Sequence, residues 1–296
     1  MRKILLFCIS FLFVSSLFAQ EVNKEDSLNN FHFKLSTGYL SNYLFNGRAD
    51  SLKMPYSVTT LEMKNGNGLS FDANLYYLLQ NNNQRFDFLE LNGSYEHDFT
   101  DNFSGGLYAT KYFNSNQRVS VNSDITGSLG AGASYDFNIF KLSTEADLLF
   151  SSKSDVYLNL ELEKEIKWKS GDFKWTFDPT ADLNYSSLRY YEGSVTQNSQ
   201  RIGKKSQIIT LQNITSTSVV NPGFRMMDFE IAAPITFEND KYGFSFTPTF
   251  VNPMNPVNTI SVVNNGGKIS TIDSTPYSER FLKTTIFTNF SFFIKF

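Results

Sequence analysis

The chain has 296 residues, with 26 lysines and arginines against 29 aspartates and glutamates, a formal net charge of −3, and aromatic side chains at 16% of its positions. This charge balance excludes nucleic acid as an expected partner, because phosphate binding requires a positive surface. Cys8 is the only cysteine, which excludes a disulfide framework and a cysteine metal site; we expect no metal and no cofactor.

The N-terminus has the order of a secretory signal peptide. Arg2 and Lys3 precede an apolar run from Ile4 to Phe18, and Ala19 closes the run before polar sequence begins. A membrane-anchoring helix is the alternative, but the run is shorter than the roughly 18 to 20 residues that span a bilayer. We therefore predict a signal peptide that is removed on export, a short periplasmic segment and one folded domain, over residues 1–19, 20–30 and 31–296 respectively.

From residue 31 onward the sequence is a succession of segments in which apolar and polar side chains alternate. A period of two is typical of a strand with one apolar and one polar face. These segments predict about twelve strands, most of them long enough to cross a membrane. They cover residues 31–45, 55–64, 69–79, 85–99, 103–113, 128–137, 140–150, 156–162, 173–185, 227–237, 242–250 and 282–296.

The connections between these segments fall into two sets that alternate along the chain. The short set contains asparagine and glycine, which tolerate the left-handed backbone of tight hairpins; it comprises residues 65–68, 100–102, 138, 169–172 and 238–240. The long set comprises residues 46–54, 80–84, 114–125, 151–154, 187–222 and 253–281. Bacterial outer-membrane barrels keep short turns in the periplasm and send long loops outward. The sorting therefore predicts a closed antiparallel transmembrane β-barrel.

A soluble β-sandwich also alternates apolar and polar side chains, but two features favour a membrane protein. The predicted strands match the roughly nine to eleven residues that cross a bilayer at a tilt. Aromatic side chains also concentrate at the segment ends, which membrane interfaces favour.

The C-terminal residues Phe290, Phe292, Ile294 and Phe296 resemble the targeting strand that ends bacterial outer-membrane proteins. This resemblance implies location in the cell outer membrane. It also implies outer-membrane lipid, lipopolysaccharide and the outer-membrane assembly machinery as partners. The sequence does not indicate the oligomeric state.

Two further resemblances concern the family. The stretch from Gly38 to Gly47, followed by a hairpin and an apolar strand, resembles the first hairpins of an uncharacterised barrel family of Gram-negative bacteria. The signal segment ending in Phe18-Ala19-Gln20, with loops rich in asparagine and lysine, looks like those of Bacteroidetes proteins. Both likenesses imply a cell-envelope protein, and neither brings a catalytic motif.

If the apolar rows face lipid, the polar rows face the lumen of the barrel. A lumen lined by carboxylates lowers the barrier for positive charge, so one hypothesis is a narrow channel for small cationic or polar solutes. The alternative is that lysines close salt bridges and fill the barrel. The candidate acidic patch is Asp72, Glu145, Asp147, Glu161, Glu163, Asp178, Asp182, Asp228 and Glu230, and the candidate lumen lysines are Lys34, Lys141, Lys174 and Lys283.

Hairpin geometry predicts which of these residues lie opposite one another. Tight turns at residues 151–154 and around Gly171 would bring like charges side by side, which is destabilising unless a cation intervenes. The predicted facing pairs are Glu145 with Glu161, Lys141 with Glu165, and Glu163 with Asp178.

Three prolines lie inside predicted strands, where each removes one hydrogen-bond donor from the ladder. A closed barrel has no free edge to absorb that loss. We therefore expect β-bulges at Pro179, Pro234 and Pro248.

Two other functions remain open. An outer-membrane hydrolase would need a histidine base, but His32 and His97 lie near the periplasmic ends of their strands, and the adjacent Asp98 points to the face opposite His97. We therefore expect no enzymatic activity. A closed barrel could instead act through the loops 187–222 and 253–281; the second contains a predicted hairpin over 259–272, and the first a basic cluster suited to lipopolysaccharide phosphates.

Overall fold

The computed structural model describes residues 31–45, 48–49, 54–80, 84–115, 125–151, 154–187, 214–219, 223–255, 259–265, 268–273 and 283–296. The predicted segments 1–19 and 20–30 lie outside the described residues, as do most of residues 187–222, including the basic cluster. No helix in the described part of the chain is long and apolar enough to span a bilayer.

The described residues form twenty strands. They are β1 (Phe31–Leu40), β2 (Leu44–Phe45), β3 (Arg48–Ala49), β4 (Tyr56–Asn65), β5 (Leu69–Leu78), β6 (Arg85–Thr100), β7 (Phe103–Asn114), β8 (Gly127–Asp136), β9 (Lys141–Phe150), β10 (Asp155–Glu163), β11 (Ile166–Ser170), β12 (Phe173–Phe177), β13 (Thr180–Ser186), β14 (Ile214–Val219), β15 (Arg225–Ala232), β16 (Ile235–Glu238), β17 (Tyr242–Pro253), β18 (Thr259–Asn265), β19 (Lys268–Asp273) and β20 (Thr285–Lys295).

Fifteen of these strands join into one closed antiparallel sheet. Successive crossings of the wall pair along the chain, and β20 closes the ring by pairing with β1 on one side and β17 on the other. We call each crossing of the wall a stave; three staves are built from two collinear strands, namely β10 with β11, β13 with β12, and β15 with β16. The sheet therefore has twelve staves, and the predicted closed barrel of about twelve strands is confirmed.

The short and the long connections lie at opposite ends of the barrel, as the sequence predicts. The tight turns follow β4, β6, β8, β11 and β16, and Asn138 and Gly171 hold the left-handed backbone there, with φ of 65° and 62°. The long connections all emerge at the opposite end. The predicted hairpin over 259–272 is present as β18 and β19, and it pairs with β14 from the neighbouring long loop to form a separate three-stranded sheet.

The apolar rows face outward. Leu107, Leu129 and Ile286 are 64%, 54% and 70% exposed, whereas Asp147 and Asn184 on the polar rows are 9% and 6% exposed. A belt of exposed phenylalanine, leucine and isoleucine around an enclosed polar interior is stable only against lipid. The chain is therefore an outer-membrane β-barrel.

The register differs from the prediction at two hairpins. Glu145 lies opposite Asn159, and Lys141 lies opposite Glu163, so the predicted pairs of Glu145 with Glu161 and Lys141 with Glu165 are wrong. Glu163 lies opposite Thr180 rather than Asp178, so that pair is wrong too. Each error is a slip of two residues, which keeps every side chain on its face; alternation cannot detect it.

The prolines interrupt strands without shifting their register, so the predicted bulges are wrong. The pairing of Thr180 with Ala232 and of Phe177 with Ile235 follows one register on both sides of Pro179 and Pro234. Pro248 pairs regularly with Thr288. Register shifts occur elsewhere in the barrel, between Tyr76 and Tyr77, between Asp98 and Thr100, and between Asn184 and Tyr185.

Candidate functional site

The outer mouth of the lumen holds a cluster of aromatic rings, Tyr43, Tyr56, Tyr76 and Phe88, which we call the mouth cluster. Tyr76 and Phe88 stack with ring centroids 4.0 Å apart, and Tyr43 meets Tyr56, Tyr76 and Phe88 edge-on at 5.8, 6.2 and 5.7 Å. Tyr56 and Phe88 are fully buried. Aromatic pairs in this geometry attract beyond their buried area, so the cluster is a packed constriction.

The first long connection brings Tyr43 into the barrel. Ser41 bonds to Thr288 through its backbone N–H (2.9 Å) and accepts the Thr288 N–H through its hydroxyl (2.8 Å). The buried Asn42 accepts the Met54 N–H at 2.9 Å. The next residues reach further across the lumen, because Phe45 packs against a second apolar cluster of Ile125, Leu149 and Met227.

A local irregularity in β6 completes the mouth cluster. The register shift between Tyr76 and Tyr77 places Phe86 outward and Phe88 inward, with Asp87 as the extra residue between them. Asp87 is fully buried; it accepts a hydrogen bond from the Tyr56 hydroxyl at 2.6 Å and pairs with the Arg85 Nε at 3.0 Å. Sequence reasoning missed this site, although Phe86 and the outward Leu89 cannot both face lipid in an unbroken alternation.

The middle of the lumen carries most of the predicted acidic patch on one side. Glu161, Asp182 and Glu230 occupy paired positions on three neighbouring staves, so their side chains form one lateral row. Glu145 and Asp147 on β9 and Asp228 on β15 flank this row. We call these six residues the acidic wall: Glu145, Asp147, Glu161, Asp182, Asp228 and Glu230.

Neutral side chains provide hydrogen bonds to the acidic wall. The Tyr108 hydroxyl donates to Asp147 at 2.7 Å. The amide of Asn159 donates to Asp182 at 3.3 Å, and the amide of Asn184 to Asp228 at 2.5 Å. These donors orient the carboxylates without cancelling a negative charge.

A cavity of about 420 Å³ lies between the inserted first loop and the acidic wall. Leu44 and Phe45 contribute from the loop, and Asp147, Asp182 and Glu230 from the wall; Tyr108, Tyr112 and Tyr157 are among the remaining lining residues. The cavity therefore offers both carboxylate oxygens and aromatic rings.

The periplasmic end of the lumen is different, because several of its carboxylates are paired with lysines. Lys34 bonds to Glu62 at 2.5 Å, Lys295 to Glu238 at 2.9 Å, and Lys141 forms an ion pair with Glu163. Of the predicted lumen lysines, Lys34 and Lys141 thus lie here, and Lys174 pairs in register with Glu238.

The other candidate residues are spread apart. Asp72 lies opposite Glu62 on β4 and Asn92 on β6, across the lumen from the acidic wall. Asp178 lies near the charge of Glu163, between β12 and β13. Lys283 is exposed just before β20, at the outer end. The structure therefore gathers six of the nine acidic candidates and leaves Asp72, Glu163 and Asp178 outside the wall.

The C-terminal residues and the histidines occupy the predicted faces. Phe290 and Ile294 are exposed on the outward face of β20, and the backbone N–H of Phe296 bonds to Phe33 at 2.9 Å. His97 lies on the outward row and meets the ring of Phe99 edge-on at 5.0 Å. His32 is exposed at the start of β1. Within the described ranges, no three acidic, histidine or cysteine side chains come together as a metal site.

Comparison with known proteins gives similarities only at the level of structure. No family model matches the chain, and no curated relative is found. A KdgM porin is 7% identical with a TM-score of 0.45, over 90% of this chain and 99% of that chain. An outer membrane channel from Pseudomonas putida F1 is 9% identical with a TM-score of 0.39, over 93% and 100%. OmpF from Salmonella typhi is 9% identical with a TM-score of 0.31, over 93% and 100%.

Proposed function

We propose that this barrel is a narrow outer-membrane channel for small cations and small cationic or polar solutes. The observation that carries the proposal is the lateral row of Glu161, Asp182 and Glu230 at mid-height in the lumen. Three carboxylates side by side repel one another. A cation passing the row relieves that repulsion, whereas an anion meets a barrier.

The distribution of lysines supports the same direction of selectivity. The lumen ion pairs of Lys34, Lys141 and Lys295 lie at the periplasmic end, whereas the acidic wall is hydrogen bonded by tyrosine and asparagine. The neutral donors leave the negative potential of the wall in place. A cation would therefore find its most favourable position in the cavity beside Asp147, Asp182 and Glu230.

The inserted first loop limits the size of what passes. The mouth cluster and Phe45 occupy the route between the outer mouth and the cavity. Passage of a solute along this route requires Tyr43 or Phe45 to move. We therefore propose small solutes and low conductance, in contrast to the wide aqueous lumen of large barrels.

Recordings in planar bilayers test the proposal. We expect small step currents whose reversal potential in a potassium chloride gradient reports preference for potassium. Asp182→Asn should bring the ratio of potassium to chloride permeability toward unity. The matched control is Glu96→Gln, which removes one negative charge near the periplasmic end, where Glu96 accepts a bond from Ser104 at 3.0 Å. Chloride preference in the unmodified protein would overturn the proposal.

A closed barrel that acts through its outer loops is the second candidate. The packed mouth cluster favours it, as does the separate sheet of β14, β18 and β19, which joins the two longest connections above the barrel. The same recordings distinguish the two candidates, because a closed barrel gives no step currents in either variant.

We propose two kinds of partner for this location. The outward row of β20, with Phe290, Phe292 and Ile294, is a signal read by the outer-membrane assembly machinery. Lipid surrounds the apolar belt, and lipopolysaccharide lies against the long outer loops. Replacing Phe296 with alanine should lower the amount of folded barrel in outer-membrane fractions, measured by the heat-modifiable mobility of the folded form on gels.

A further inference from the structure

Three prolines lie side by side across the barrel wall. Pro179, Pro234 and Pro248 belong to three neighbouring staves, and the residues beside them are paired: Lys164 with Pro179, Asp178 with Pro234, and Ala233 with Pro248. We call this row of three prolines and their paired residues the proline line; it crosses three successive interfaces between staves. Two staves are already broken into separate strands where the line passes Pro179 and Pro234.

Each of these pairs keeps one hydrogen bond and lacks its second. The N–H groups of Lys164, Asp178 and Ala233 donate to the opposite proline carbonyls at 3.1, 3.0 and 3.1 Å. In an antiparallel ladder the facing residue would return a bond to the same partner. Proline has no N–H, so the return bond is absent in all three pairs.

On the periplasmic side of the proline line, three short strands form a small sheet with one free edge. β12 pairs with β11 on one side and with β16 on the other, and β16 pairs with β17. In the described residues β11 has no other strand partner, and all five of its residues are exposed. We call β11, β12 and β16 the flap.

The inward face of the flap carries three lysines and one carboxylate, Glu238, which pairs with Lys295. Lys167, Lys169 and Lys174 lie on the inward face of the flap, because their neighbours Trp168 and Trp175 stack on the outward face at 5.9 Å. Above the line, Glu163 pairs with Lys141, Asp178 lies on the line opposite Pro234, and Lys167 pairs with Glu165.

We infer that the flap is a mobile gate at the periplasmic end of the lumen, which pivots along the proline line and is anchored by β17. A sheet bends across its strands where the ladder is weakest, and here the weak points of three interfaces coincide. The corner farthest from β17, the turn between β11 and β12, has the largest movement.

Distance measurements between spin labels test the gate independently of any conductance. With Cys8 replaced by serine, one pair of labels is placed at Lys169→Cys on β11 and Asp101→Cys in the β6–β7 turn. The control pair is Ile139→Cys in the β8–β9 turn with the same Asp101→Cys. We expect a broad or two-peaked distribution for the flap pair and a narrow one for the control pair.

Restoring the missing donors should stop the motion. In Pro179→Ala/Pro234→Ala/Pro248→Ala, the flap distribution should narrow to the width of the control. A narrow flap distribution in the unmodified protein, or an unchanged width in the triple variant, would overturn the inference.

Hydrogen exchange of the unmodified protein covers the case in which the triple variant does not fold. Amides of β11 and β12 that bond to each other should exchange about tenfold or more faster than those pairing β8 with β9. Equal rates would overturn the inference as well.

Discussion

Glu161 and Asp182 face each other directly across the β10–β13 pair, and Glu230 continues the row on β15. Neighbouring carboxylates of this kind destabilise a sheet, whereas small polar residues at the same positions would not. We therefore expect the row to reduce the stability of the barrel at the place where the lumen carboxylates are concentrated.

The first prediction concerns this row. The amide of Asn159 and the hydroxyl of Thr180 donate to different oxygens of Asp182. Asp182→Asn keeps an acceptor oxygen for one of these donors, while the Thr180 hydroxyl can accept from the new amide, and it removes one of three adjacent charges. We expect the free energy of unfolding to rise by about 0.2–1 kcal/mol, measured by urea unfolding in detergent micelles at low salt. A fall in stability would mean that the hydrogen bonds to the charged form outweigh the repulsion.

The second prediction concerns the mouth cluster. Tyr43→Ala removes the ring that contacts three others, so the constriction widens and single-channel conductance should increase. Phe86→Ala is the matched control, because Phe86 is close in sequence to Phe88 but 43% exposed on the outward face. Equal conductance in the two variants would place the narrowest point elsewhere.

The third prediction concerns the buried charges beside that cluster. Arg85→Met leaves the fully buried Asp87 without its ion-pair partner, and loss of one member of a buried pair costs about 3–5 kcal/mol. Tyr56→Phe removes only a hydroxyl donor to the same carboxylate, for which we expect a loss of about 1–3 kcal/mol. Chemical unfolding of both variants gives the ranking; a larger loss for Tyr56→Phe would contradict it.

The fourth prediction compares two turn glycines with left-handed backbone. A Cβ at Gly68 would lie 1.9 Å from the Glu96 carbonyl oxygen, whereas a Cβ at Gly171 would meet no atom within 4 Å. Gly171→Ala should therefore cost only the backbone penalty of about 1–2 kcal/mol, and Gly68→Ala clearly more. Thermal unfolding followed by mobility on gels measures both, and equal losses would show that the β4–β5 turn can move away from β6.

The sequence was sufficient to predict the barrel architecture, because the patterns that determine it lie within single strands and turns. Alternation in segments such as residues 140–150 decides which side chains face lipid, and asparagine or glycine marks each tight turn. Together with the alternation of short and long connections along the chain, these patterns predicted about twelve crossings of the wall, and the structure has twelve. The location of Asp182 and Glu230 on the lumen side followed from the same rule.

Register and lumen filling depended on contacts between distant parts of the chain. A slip of two residues leaves every face unchanged, so only pairing across the sheet could decide that Glu161 lies opposite Ser143 rather than Glu145 on β9, and opposite Asp182 on β13. Nothing in the local pattern of residues 41–55 indicates that Phe45 reaches Leu149 and Met227.

The proline line has the same origin. Pro179, Pro234 and Pro248 are far apart in sequence and become neighbours only once the register is set. Which face of the wall a side chain occupies is decided within each strand, and the alternation of apolar and polar residues encodes it. Which residues become neighbours across the sheet is decided only when the staves have paired.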